Sequence, residues 1–170
     1  CTHVISFFVS ARLYSYSVNG KLEWKLDFCL IMSAWNVVES AEWEFSSSPV
    51  IFQDKVLIQA DALNQAFVAV LDLHTGKTLW RKERDEISGW CTPNVYFDGN
   101  KPRFVVNGYQ HRGAYDLHTG EEIWRMSGGG DIPVPTPLVA HDLVFITNAH
   151  GPASPIYAIR LDAKGDISLA

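Results

Sequence analysis

The chain has 170 residues, 47% of them hydrophobic and 12% aromatic against 19% charged. That is ample material for the core of one ordinary domain and excludes a disordered chain. Its 14 basic and 19 acidic residues leave a formal charge of −5, without the cationic surface that neutralising a phosphate backbone requires, so nucleic acid is excluded as a partner. Unbroken apolar runs such as 67–71 are about five residues long where a membrane-crossing helix needs about 20, so no membrane span is predicted.

In chain order, the sequence starts at Cys1 rather than Met and runs straight into the apolar segment 4–9. No basic, signal-like start precedes that segment, so Cys1 reads as a trimmed or processed end. Cys1, Cys29 and Cys91 are an odd, widely spaced set without a C-x-x-C pair, which gives no zinc, redox or disulfide signature. Residues 3–27 end in Asn19-Gly20-Lys21-Leu22-Glu23-Trp24, a glycine followed four residues later by a tryptophan. The same step recurs in Asp72-Leu73-His74-Thr75-Gly76 leading to Trp80, and in Asp116-Leu117-His118-Thr119-Gly120 leading to Trp124, the two glycines standing 44 residues apart. Pro49, Pro93 and Pro137, each in a Ser/Thr-Pro step, keep the same interval of 44. Gly165 begins a degenerate copy that ends on Leu169 where the others have tryptophan.

Each unit reads as four short strands. In the second they fall at 49–52, 55–60, 66–73 and 78–82, separated by an Asp54-Lys55 turn, a polar link and a His-Thr-Gly turn. The third strands, at 13–18, 66–73, 113–117 and 156–161, lack a clean polar face, as expected where both sides of a sheet are covered. Four-stranded units repeating every 40–45 residues are the signature of β-propeller blades. The predicted fold is therefore all-β, a propeller of four-stranded antiparallel blades with about four blades present. Blade I is partial at 3–27, an insertion occupies 28–45, blade II spans 46–84, blade III 90–127 and blade IV 134–170.

Gly76, Gly120 and Gly165 are expected to supply positive φ in hairpins, and the aspartates of the two Asp-Leu-His-Thr-Gly stretches to hold turn backbone. Trp24, Trp80 and Trp124 are expected to pack between blades. His74 and His118 recur because the turn recurs, so they are not read as metal ligands and no metal site is predicted.

An aliphatic strand running into Asp-x-x-Thr-Gly-Lys/Glu-x-x-Trp, as in Ala69 to Trp80 and Gly113 to Trp124, resembles the quinoprotein-like, or PQQ-like, propeller repeat. The resemblance covers nearly the whole chain, links such as Trp90-Cys91-Thr92-Pro93 and Pro135-Thr136-Pro137-Leu138 included. It implies an extracytoplasmic, periplasmic setting in bacteria and one of two activities. Quinoprotein dehydrogenases of this superfamily hold pyrroloquinoline quinone and calcium in a central funnel, whereas its outer-membrane-protein assembly lipoproteins are noncatalytic scaffolds. This chain has neither an adjacent cysteine pair nor an assignable calcium set, so the scaffold is the favoured expectation, without cofactor. The alternative is a fragment of a dehydrogenase dependent on quinone and calcium.

In an up-and-down blade, the loop between second and third strands and the connector to the next blade share one face, opposite the Thr-Gly turns. The candidate ligand or partner residues on that face are Trp35, Asn36, Glu39 and Trp43 of the insertion, then Tyr109, His111 and Arg112, then Asn148 and His150. Propeller rings close with about 4–8 blades, so the chain forms a small ring or part of a larger one. An open ring exposes apolar flanks at its end blades, which predicts a protein partner or self-association there.

Overall fold

The computed structural model describes residues 3–8, 12–28, 46–128, 132–148 and 155–169. The described residues form fifteen strands in four sheets. The first sheet holds β1 (His3–Phe8), β2 (Arg12–Ser17) and β3 (Leu22–Asp27). The second holds β4 (Val50–Phe52), β5 (Lys55–Asp61), β6 (Ala66–Asp72) and β7 (Thr78–Glu83). The third holds β8 (Asn94–Asp98), β9 (Lys101–Val106), β10 (His111–Asp116) and β11 (Glu122–Ser127). The fourth holds β12 (Leu138–Ala140), β13 (Leu143–Thr147) and β14 (Ile156–Arg160). Within each sheet these strands pair antiparallel in chain order, as up-and-down blades do. Residues 29–45 of the insertion, including Trp35, Asn36, Glu39 and Trp43, lie outside the described residues, as do Cys1 and His150.

Alternation along the strands assigns each residue to a seam. On β5 and β6, Val56, Ile58, Ala60, Phe67, Ala69 and Leu71 pack against Leu13, Trp24 and Leu26 of blade I. The intervening Leu57, Val68 and Val70 turn the other way, onto Phe104, Val106, Tyr115 and Leu117 of blade III. Blade III repeats the device, since Val105, Ala114, Trp124 and Met126 face Val144, Ile146 and Ile159 of blade IV. A strand buried on both faces has no polar stripe, which is why β5 and β6 read as continuous apolar runs. Three seams result, and among the described residues no core cluster joins blade IV to blade I. Among the described residues the four blades therefore run as an open arc, a partial propeller.

The repeated tryptophans share one geometry at two seams. The Trp24 indole N–H donates to the Leu73 carbonyl at 2.8 Å and that of Trp80 to the Leu117 carbonyl at 2.9 Å. Each ring lies on the turn glycine of the next blade, so a Cβ on Gly76 or Gly120 would sit 2.7 Å from indole carbon. Opposite each tryptophan the third strand slips register, at Ser15/Tyr16, Val70/Leu71 and Ala114/Tyr115. This bulge re-aims the side chain out of the regular ladder.

The last seam departs from the pattern. Trp124 donates instead to the Tyr96 hydroxyl at 3.0 Å, and nothing lies against Gly165, although its φ is +72°. The short strand β15 (Gly165–Asp166) joins blade III, running parallel to β11 and adding a fifth strand to that sheet. The Ile167 amide donates to the Arg125 carbonyl at 2.8 Å. Leu169 cannot supply the indole that would anchor it to a following blade, and the segment satisfies its backbone on the open edge of β11.

Candidate functional site

The end of β5, the connector after β7 and the loop between β9 and β10 come together on one side of the arc. Their buried polar side chains form a cluster around Arg84, at the exit of β7. Its guanidinium donates to Asp61 at 2.8 Å, to the Tyr115 hydroxyl at 2.8 Å and to the His111 carbonyl at 3.1 Å, and lies 3.4 Å from Glu86. Glu86 in turn accepts the consecutive backbone N–H groups of Tyr109, Gln110 and His111 at 3.2, 3.0 and 2.7 Å. One carboxylate thus holds the whole loop between β9 and β10. Gly108 is required beneath it, because a Cβ there would collide with the Glu86 carboxylate, the His111 carbonyl and Arg84.

Burial opposes charge throughout this cluster. It lifts the Asp61 and Glu86 carboxyls above their ordinary range against the pull of Arg84. Burial also acts against the Arg84 guanidinium, but Asp61, Tyr115 and Glu86 outweigh it and hold the group above its usual value. His111 is 3% exposed, and burial together with Arg84 and Arg125 lowers its pKa to about 3, so its imidazole is neutral at physiological pH. Burial pushes the Cys91 thiol up to about 12, which makes it inert as a nucleophile.

A second set of contacts runs around the hub from blade to blade. The Gln59 amide donates to Asp61 at 2.7 Å and to the Asn107 carbonyl of blade III at 2.5 Å. The Asn107 amide donates onward to the Pro135 and Thr147 carbonyls and to the Asn148 side chain at 2.8 Å. Ser48 and Thr92 make a further link, as do Asn94 and Pro137.

The described candidates therefore divide. His111, Arg112 and Asn148 are buried, and Arg112 donates to the Gly128 carbonyl while its guanidinium stacks over Tyr157 at 4.5 Å. Tyr109 is 38% exposed on the held loop, beside exposed Gln110, Asp85, Leu63 and Asn64 of neighbouring loops. Sequence reasoning missed Asp61, Arg84 and Glu86. The available signal was Asp61 itself, a lone acid between Ala60 and Ala62 in the stretch 56–63, where Gln59 is the other polar residue.

The buried carboxylates of this face are committed to Arg84 and to backbone N–H groups, and among the described residues no three His, Cys, Asp or Glu side chains converge on a point where a metal could sit.

Comparison with known proteins agrees with this architecture. The chain superposes on BamB from Moraxella catarrhalis with a TM-score of 0.61 at 20% identity, over 85% of this chain and 39% of that one. It matches a europium-containing methanol dehydrogenase with a TM-score of 0.51 at 21% identity, over 75% and 23%. The C-terminal domain of Pseudomonas aeruginosa PilY1 gives 0.56 at 16%, over 85% and 36%. The chain spans less than half the length of each of these structures, and at such identities they share its fold. No match was found among curated proteins. A family model described as outer membrane protein assembly factor BamB matches residues 33–166. With most of its length inside that match, and with its indole-on-glycine blade seams, the chain belongs to the PQQ-like propeller family of outer membrane protein assembly factor BamB.

Proposed function

We propose that this arc is a noncatalytic scaffold whose loop-rich face binds a protein in an extracytoplasmic compartment. The observation that carries the reading is the inward commitment of the polar groups on that face. Arg84, Asp61, Glu86 and His111 bind one another and their own backbone, which fixes the loops as a platform and leaves Leu63, Asn64, Asp85, Tyr109 and Gln110 as its outward display. Such a face suits docking better than proton or hydride chemistry, because its titratable groups are already spent. The family description points to outer-membrane protein assembly, so the partner would be a protein of that process.

A photo-crosslinking residue in place of Tyr109, in the cell that makes the protein, should give a discrete protein adduct. The same residue at Lys77, in the Thr-Gly turn on the opposite face, should give none. Equal adducts from both positions, or none from Tyr109, would refute the assignment. Incubation with pyrroloquinoline quinone and calcium followed by dialysis should leave no quinone absorbance, and stoichiometric retention would favour a dehydrogenase fragment instead.

A further inference from the structure

The sequence carries the tripeptide Val-Asn-Gly twice, as Val18-Asn19-Gly20 between β2 and β3 and as Val106-Asn107-Gly108 at the end of β9. Asparagine is thermally labile, most of all before glycine, where the missing Cβ lets the following nitrogen approach the side-chain carbonyl. The fold gives the two copies opposite surroundings. Asn19 is exposed at a turn tip, beside Gly20 at φ +81°. The turn is held by the Gly20 amide on the Ser17 carbonyl at 2.9 Å, the Ser17 amide on the Lys21 carbonyl at 2.8 Å and the Lys21 amide on the Ser17 hydroxyl at 3.1 Å. None of these bonds engages the Asn19 side chain. Its place in the repeat is that of Thr75 and Thr119, which stay exposed although the indole of a preceding blade lies on the glycine beside each. The accessibility of Asn19 therefore does not depend on what stands before blade I.

Asn107 is fully buried. Its amide nitrogen, the leaving atom in any deamidation, donates to the Pro135 and Thr147 carbonyls at 3.2 and 3.1 Å and to the Asn148 side chain at 2.8 Å. Its Oδ1 accepts the Gly108 amide at 3.0 Å, and Gly108 is packed against Glu86, the His111 carbonyl and Arg84. The rotation that would carry the glycine nitrogen onto Cγ has to break these contacts together.

We propose that Asn19 is a site of spontaneous deamidation in the native protein, and that the contacts of Asn107 shield the second Val-Asn-Gly step. The Gly20 backbone nitrogen attacks Asn19 Cγ and closes a succinimide ring. Its proton is carried through water to the side-chain nitrogen, which leaves as ammonia. Water then opens the ring at either carbonyl, giving aspartate or isoaspartate, and no oxidant or reductant is needed. The turn gains a negative charge beside Lys21. In the isoaspartyl product it also gains a backbone atom inside the loop closed by the Ser17–Lys21 bonds, so the β2–β3 hairpin loosens as product accumulates. The inference is independent of what the loop face binds.

The 170-residue chain, incubated at neutral pH and physiological temperature, should convert Asn19 to the acid and its isoaspartyl isomer, read by proteolysis and mass spectrometry. Conversion at Asn19 should be at least about tenfold faster than at Asn107, because a buried step must wait for local opening. In urea, where the shared Val-Asn-Gly sequence is all that remains, the two steps should react at similar rates. Asn19→Thr, the residue of the two equivalent turns, should remove the fast acidic species from the anion-exchange profile of the intact chain. Equal native rates at the two steps overturn the proposal, as does a native Asn19 that stays intact while the unfolded chain reacts there. A fast acidic species that persists in Asn19→Thr overturns it as well.

Discussion

At the scale of single residues, the turn glycines meet two separate demands. Gly76 and Gly120 sit at φ +70° and +74°, and each also lies under an indole that leaves no room for a Cβ. Gly99 has φ +58° with open space around it, so it meets the first demand alone. Gly120→Ala should therefore lower the unfolding free energy by about 3 kcal/mol, strain and overpacking together, and Gly99→Ala by about 1 kcal/mol. Urea denaturation of both variants measures the difference, and equal losses would show that the indole contact adds nothing. His111 offers a second test. Its folded pKa of about 3 lies below its ordinary value of 6.5, so between those limits the unfolded chain binds the extra proton. Stability contributed by neutral His111 is complete above about pH 6.5 and falls on acidification, by up to about 1.4 kcal/mol per pH unit. Asp61 and Glu86, lifted by burial, act in the opposite sense, so the difference between wild type and His111→Gln isolates the imidazole. That difference should shrink steadily from pH 6.5 to pH 4, and a constant offset would contradict a buried neutral histidine.

At the scale of elements, a blade loop is held by a side chain from a different strand's exit. The amides of Tyr109, Gln110 and His111 have their acceptor in Glu86, which Arg84 locks against Asp61. Glu86→Ala leaves three amides without that acceptor and Arg84 with one carboxylate fewer, and should cost about 3 kcal/mol. Hydrogen exchange at 109–111 should rise toward the rate of open loops while β5 and β9 keep their protection. Unchanged exchange at these amides would mean that the loop holds itself. This arrangement also explains what sequence could and could not disclose. Strand order, turn glycines and the Asp72 and Asp116 turn contacts follow from local chemistry that repeats every 44 residues, so they were legible. The Arg84 cluster was not, because its members come from the ends of β5, β7 and β10 and occur once, without a period to expose them. Likewise β15 was expected beside β14 and pairs with β11, since the sequence shows a degenerate fourth strand but not which free edge will accept it.

At the scale of the whole molecule, stability is a chain of neighbouring seams rather than one central core, as in other stacked-repeat proteins. The consequence is a gradient of local stability along the arc. β5 and β6 are buried on both faces over almost their full length, between blades I and III. β14 alternates between exposed and partly buried positions, with Ile159 alone fully covered, and its blade has given its last strand to blade III. Local opening follows the number of buried apolar contacts that must be broken, so blade IV should open well before blade II. Native-state hydrogen exchange provides the measurement. Amides of β13 and β14 should exchange through openings several kcal/mol easier than global unfolding, whereas those of β5, β6 and β9 should exchange near the global limit. Uniform protection across all four blades would instead mean that the arc unfolds as a single cooperative unit, with each end sheet held as firmly by one seam as an inner sheet is by two.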